Sequence, residues 1–188
     1  MKSIILTGIK HCGKSTQARL VSRELNLESY DTDDVIKEIT GRTPRQIYVS
    51  DGAEGFMKAE KEACLELEKR LDGKAAVIAT GGGICNNPAA LEILRRTGTI
   101  VFIDVDEETA CDRIIDEIVI DVEGMKNLPA YIAAKNPENL DDVRKIFHDF
   151  YTERRKVYSQ LADVTISAEK KSKAKNCEMI ISTIKSRS

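Results

Sequence analysis

The chain has 188 residues, 41% of them apolar and 32% charged, enough for one domain with a sizeable core. Its 29 Lys plus Arg against 31 Asp plus Glu give a formal net charge of −2, which excludes a protein that works by coating nucleic acid or an anionic membrane. Any anion it binds must be held at a local site.

In chain order, Ser3 to Thr7 is a short continuous apolar run and predicts a strand covered on both faces. A glycine-containing loop and a helix from about Lys14 to Leu25 follow. Ser29 to Asp31 predicts a second short strand, with a helix over Asp34 to Thr40 after it. Between Gly52 and Leu71, residues Phe56, Ala59, Ala63 and Leu67 form one apolar helical stripe. Ala75 to Ala79, Thr99 to Ile103 and Val164 to Ile166 read as further strands. The segment from Asp141 to Leu161 carries Val143, Phe147, Phe150, Val157 and Leu161 at steps of four and three, and Arg154 completes that stripe. An arginine on an inward stripe is costly to bury without an anionic partner. Cys177, Ile180, Ile181 and Ile184 mark a last helix that serves packing, and Lys170, Lys171, Lys173 and Lys175 beside it read as a solvated face. Alternating β-rich and helical runs predict an α/β fold, a doubly wound parallel sheet in a single domain over residues 1–188.

The longest apolar run near the N-terminus, Ile4-Ile5-Leu6, is far too short for a membrane span, and Gly8, Lys10 and His11 interrupt it too early for a signal-peptide core. The five cysteines (Cys12, Cys64, Cys85, Cys111, Cys177) are scattered with no C-x-x-C pair. Reduced thiols and a cytoplasmic location are the expectation, with no structural disulfide or zinc site.

Chemistry concentrates first at Gly8-Ile9-Lys10-His11-Cys12-Gly13-Lys14-Ser15, which matches G-x-x-x-x-G-K-[ST] between a predicted strand and a predicted helix. Gly8 and Gly13 let the backbone curl so that successive N–H groups face a phosphate, and the helix presents its positive end to the same anion. Lys14 can then bridge the β- and γ-phosphates, and Ser15 can ligate Mg²⁺. His11 and Cys12 occupy free positions of the loop.

Asp31-Thr32-Asp33 follows the second strand. Read as extended chain, it points two carboxylates the same way, one to support the Mg²⁺ shell and one to accept a hydrogen bond from an incoming hydroxyl. A plainer reading makes them helix caps. Thr80-Gly81-Gly82-Gly83 follows the third strand, and three glycines there leave room for a small ligand against the backbone. The chain has no N-K-x-D guanine motif, and it is too short and too neutral for a helicase.

With these motifs in order, the chain resembles the shikimate kinase family over nearly its whole length. The matching stretches are GIKHCGKS (8–15), DTDDVIKEITG (31–41), ATGGGI (79–84), Arg113 and RRKVYSQLAD (154–163). The resemblance implies a three-layer P-loop kinase fold with a five-stranded parallel sheet, an acceptor-binding segment over about 32–62 and a lid over about 114–140. It implies an ATP- and Mg²⁺-dependent transfer of the γ-phosphate to a hydroxyl of a small carboxylated acceptor, shikimate to shikimate 3-phosphate in aromatic amino acid biosynthesis. Gly8, Gly13, Lys14, Ser15, Thr16 and Arg113 would hold the nucleotide, with Arg113 against the adenine. Ser15 and Asp31 would serve the metal, and Asp33 would assist deprotonation of the acceptor hydroxyl. Phe56, Gly81, Gly82, Gly83 and Arg154 would complete the acceptor site, Arg154 on its carboxylate. The resemblance favours a monomer.

Two departures qualify it. Where the family has an acid and a carboxylate-binding arginine, this chain has Ala53 and Met57, and Lys58 lies about 100° round the helix from Met57. Arg42 or Arg45 is a candidate to reach in from the preceding loop. The lid arginine is also missing; Ile114 to Leu140 offers only Lys126 and Lys135, and Lys126 is the candidate catalytic substitute. Two alternatives follow: a related small-molecule kinase with a less anionic acceptor, and a nucleotide-binding module without catalysis.

Overall fold

The computed structural model describes residues 1–122, 124–168 and 172–187. Strand β1 (Ser3–Thr7) is buried along its length, and the chain then turns through a loop into helix α1 (Lys14–Leu25). Strand β2 (Glu28–Asp31), helices α2 (Thr32–Thr40) and α3 (Pro44–Leu71) and the fully buried strand β3 (Ala76–Ala79) follow. A short 3-10 turn (Ile84–Asn86) leads into helix α4 (Pro88–Thr97), strand β4 (Gly98–Asp104) and helix α5 (Glu107–Ile115). A hairpin of β5 (Val119–Asp121) and β6 (Gly124–Lys126) precedes helices α6 (Ala130–Ala133) and α7 (Leu140–Leu161), strand β7 (Val164–Ser167) and helix α8 (Lys173–Lys185).

The main sheet runs β2-β3-β1-β4-β7, five strands, all parallel, flanked by helices. Its inner strands are continuous apolar runs because both faces are covered, whereas edge strands β2 and β7 expose part of their length. The parallel register brings all the strand ends to one edge. Ala79 pairs with both Leu6 and Asp31, so the P-loop, the Asp31-Thr32-Asp33 run and the glycine triplet emerge side by side. α1 packs on α8, α3 on α2 and α4, and α7 on α5.

Several boundaries differ from the sequence reading for local reasons. α3 begins at Pro44, not Gly52, because Thr43 and Gln46 form a reciprocal capping box with proline in the first turn. Gly52, at φ 72° and ψ −169°, is a break inside it. The stretch read as one lid, 114–140, divides into parts with different anchoring. Ile114 closes α5 in the core, the β5–β6 hairpin leaves Val119, Ile120 and Val122 exposed, and α6 is fastened by fully buried Ile132. Tyr131 of α6 stacks on Phe150 of α7 with ring centroids 3.7 Å apart.

All five cysteines are unpaired and buried. Among the described residues no helix is long and apolar enough to cross a membrane. Of the basic stretch near the C-terminus, Lys173 and Lys175 are exposed on α8, and Lys170 and Lys171 lie outside the described residues.

Candidate active site

The loop after β1 has the conformation its glycines permit. Gly8 takes φ 143° and Gly13 φ 98°, and a Cβ on Gly8 would stand 2.8 Å from Cys12 Sγ and 2.9 Å from the Ile103 carbonyl. Gly13 precedes α1 without a side-chain cap, so the first N–H groups of that helix are not spent on one. Lys14 is buried and its ammonium donates to the Gly8 and Ile9 carbonyls at 2.9 and 2.8 Å. The lysine head is thus held at the loop it must serve. Ser15 is exposed and Thr16 half-buried on the same turn. Arg113 of α5 donates from Nη1 to the His11 carbonyl at 2.7 Å and so clasps the top of the loop.

Asp31 is a helix cap and also a partner of Ser15. Its Oδ1 accepts from the Asp33 N–H at 3.0 Å, capping α2, and its Oδ2 accepts from Ser15 Oγ at 2.7 Å. The extended geometry expected for Asp31 to Asp33 does not occur. α2 starts at Thr32, so Asp33 lies in its first turn. Burial and the neighbouring Asp31 charge push the Asp33 carboxyl up to about 6, against the pull of Lys14. Its Oδ1 is buried without a hydrogen-bond partner.

The triplet is shaped as much by its neighbours as by any ligand. The Gly81 N–H donates to Thr32 Oγ1 at 2.9 Å, so that amide is already engaged and does not join a cradle for the acceptor. A Cβ on Gly81 would meet Asp33 Oδ1 at 2.8 Å and Glu60 Oε1 at 3.4 Å, and one on Gly82 would meet the Lys10 backbone nitrogen at 3.1 Å. The Gly82 carbonyl accepts from Tyr158 Oη at 2.8 Å. Gly83 leads directly into the 3-10 turn, so the stretch before Pro88 is ordered by its own hydrogen bonds.

Arg154 is half-buried, as its stripe predicts, but its partners are not anionic. Its Nη1 lies 2.7 Å from Cys85 Sγ and its guanidinium stands 5.0 Å over the Phe150 ring. Among the described residues no carboxylate pairs with it. Phe56 is half-buried, edge-on to Tyr48. Met57 is 36% exposed and offers only its carbonyl, which accepts from Asn87. Arg42 does not reach toward it, because Asp51 holds its guanidinium through two hydrogen bonds at 3.2 and 2.8 Å, and Ser50 through a third. Lys126 of the hairpin is exposed and lies 2.6 Å from Asp121.

Three residues of this neighbourhood were given no role from sequence, although Glu60 and Tyr158 lie in stretches that match the family's pattern. Glu60 is 1% exposed; Asn87 Nδ2 holds its Oε2 at 2.9 Å, and burial pushes its carboxyl up to about 7. Asn87 also bonds the Met57 carbonyl and caps α4. Tyr158 is fully buried, stacked on Phe102. Glu60 carried one signal, its match to the acid that closes the family's acceptor-helix pattern. Nothing in sequence spacing joins it to Asn87.

A model of the shikimate kinase family matches residues 10–185. The shikimate kinase of Aquifex aeolicus is 35% identical over 167 residues, 89% of this chain and 87% of that protein. That of a Sulfurihydrogenibium species is 29% identical over the full length of both. The solved shikimate kinase of Acinetobacter baumannii in complex with shikimate superposes with a TM-score of 0.81 at 26% identity, covering 100% of this chain and 94% of that one.

Proposed function

Because the chain belongs to the shikimate kinase family, we propose that it transfers the γ-phosphoryl group of ATP to a hydroxyl of shikimate, with Mg²⁺ as the accompanying ion. The observation that carries the reading is the convergence of a complete P-loop and a buried carboxylate at Asp33 on one edge of the sheet. A module that only binds nucleotide needs a carboxylate for the metal ion, the part Asp31 can take, but not a second one aimed at an acceptor.

The chemistry follows from charge and position. Phosphoryl transfer is catalysed by alignment and by positive charge on the transferring group. The α1 N-terminus, the loop amides and Lys14 supply that charge, and Arg113 holds the loop apex through the His11 carbonyl. The Ser15 hydroxyl and Asp31 carboxylate, 2.7 Å apart, are a hard oxygen pair that suits Mg²⁺. Such an ion would take its other oxygens from the phosphates and water. When bound, the ion neutralises phosphate charge. Asp33 receives the proton of the attacking hydroxyl, and Gly81 keeps its carboxylate free of a crowding side chain. Arg154 is the guanidinium for the acceptor carboxylate, available because a thiol and a ring face are its present partners.

The test is ADP release with ATP, Mg²⁺ and shikimate. Release must depend on shikimate and fall by about 10²–10⁴ in Asp33→Asn. Nucleotide binding without shikimate-dependent turnover would refute the assignment and point to a different acceptor.

A further inference from the structure

Arg154 has no anionic partner among the described residues, so something else must hold its guanidinium in place. A guanidinium on a long flexible stem grips a carboxylate well only where its orientation is fixed beforehand. Here the Cys85 thiol, a weak acceptor, lies 2.7 Å from Nη1, and the Phe150 ring stands 5.0 Å from the guanidinium carbon. Phe150 is one turn before Arg154 on α7, so ring and cation share a helix face. The Phe150 ring is itself set by Tyr131 of α6, with ring centroids 3.7 Å apart and planes 12° apart. Helix α6 is short, but Ile132 is 0% exposed and the Pro129 carbonyl accepts from the Ile132 and Ala133 N–H groups at 2.9 Å. The Tyr131 ring is therefore carried by a segment seated in the core. Its hydroxyl is buried without a hydrogen-bond partner, so its contribution to this structure is the ring face. Burial and then Cys111 raise the proton affinity of that hydroxyl, and the charge of Arg154 opposes them.

We infer that Tyr131 is a positioning residue for the reaction: stacked on Phe150, it fixes the ring that holds the Arg154 guanidinium, and so sets where the acceptor carboxylate is gripped. Helix α6 thereby shapes the acceptor site through α7. A ring suits this task better than an acid would. Its electron-rich face attracts the cation and leaves the guanidinium N–H groups to a carboxylate ligand, whereas an Asp or Glu partner would occupy that fork. The inference rests on the assignment of Arg154 to the acceptor carboxylate.

The experiment is a cycle between substrate and enzyme. Initial rates with shikimate and with its carboxamide analogue are compared for the wild type, Tyr131→Leu and Tyr131→Phe, alongside the KM for ATP. Tyr131→Leu keeps an apolar side chain on α6 but loses the stack. It should raise the KM for shikimate by about 3- to 10-fold, the worth of one aromatic pair. The KM for ATP should not move. The KM for the carboxamide should not move either, because that analogue has no carboxylate for Arg154 to grip. Tyr131→Phe restores the ring and should return the shikimate KM to the wild-type value. Phe150→Leu should match Tyr131→Leu, and the double variant should be no worse than either, since both act on one guanidinium. Equal losses for shikimate and the carboxamide, or a matching rise in the KM for ATP, would make Tyr131 merely structural and overturn the inference. Failure of Tyr131→Phe to rescue would overturn it as well, by placing the effect in the hydroxyl. A wild type that handles the carboxamide as well as shikimate would instead refute the Arg154 assignment, and the inference with it.

Discussion

Replacing Glu60 by glutamine should stabilise the protein at neutral pH. Glu60 is 1% exposed, and burial lifts its carboxyl from an ordinary 4.5 up to about 7. Between those values the folded protein holds a proton that the unfolded chain has released, so stability falls as pH rises from about 4.5 to 7 and is level above. At about 1.4 kcal/mol for each tenfold change in proton affinity, the difference amounts to about 3 kcal/mol. Glutamine keeps an oxygen for Asn87 Nδ2 and brings an N–H toward the unpartnered Asp33 Oδ1, so most of that gain should be realised. For a chain of this length the melting temperature should rise by roughly 5–10 °C at pH 7.5. Guanidinium titrations of both proteins at pH 5, 6, 7 and 8 would measure it, with an unchanged slope as the check on two-state unfolding. The advantage should shrink steadily toward pH 4.5. A variant that is less stable at pH 8, or whose difference from wild type does not move with pH, would refute the reasoning.

The wild-type kcat/KM for the acceptor should fall on the acid side with a midpoint near pH 6, because Asp33 must be ionised to take a proton and its burial places it there; a midpoint near 4, read from initial rates, would count against Asp33. Ile132→Ala should cost about 2–5 kcal/mol in denaturant unfolding, since Ile132 is fully buried beneath α6; a near-neutral result would return the segment around it to the mobile lid. Tyr158→Phe should lose about 1–3 kcal/mol, leaving the Gly82 carbonyl without its 2.8 Å donor while keeping the stack on Phe102. Met57→Arg should lower the acceptor KM several-fold and spare that of ATP, because it adds a guanidinium on the α3 face next to Asn87; an unchanged or higher acceptor KM would argue against that placement.

The inner strands were legible because both-sided burial demands continuous apolar runs, and β1, β3 and β4 fall where those runs are. The P-loop was legible because its glycines and lysine are required at fixed spacing. The acceptor side was less so. Asp31 serves both as cap and as partner of Ser15, a choice that depends on where α2 starts, and residue patterning left that start two positions late. Arg42 looked available because Asp51, nine residues on, becomes its partner only when α3 begins at Pro44. The Thr43–Gln46 capping box would have revealed that start. The Glu60–Asn87 contact joins residues 27 apart on two helices, and no local pattern encodes it.

Helix α7 carries Arg154 and Tyr158 one turn apart, the first against Cys85 and the second on the Gly82 carbonyl. One rigid rod therefore touches the middle of the triplet and the 3-10 turn that follows it. A tilt of that rod displaces the Arg154 guanidinium, the proposed anchor of the acceptor, and the Gly82 carbonyl together, so their spacing survives small motions of the domain. The same linkage sets a limit on redesign. If Arg154 anchors the acceptor as proposed, shifting α7 to enlarge the pocket would carry the Gly82 carbonyl along with the anchor, and a redesign for a bulkier acceptor starts better from α3, at Phe56 and Met57.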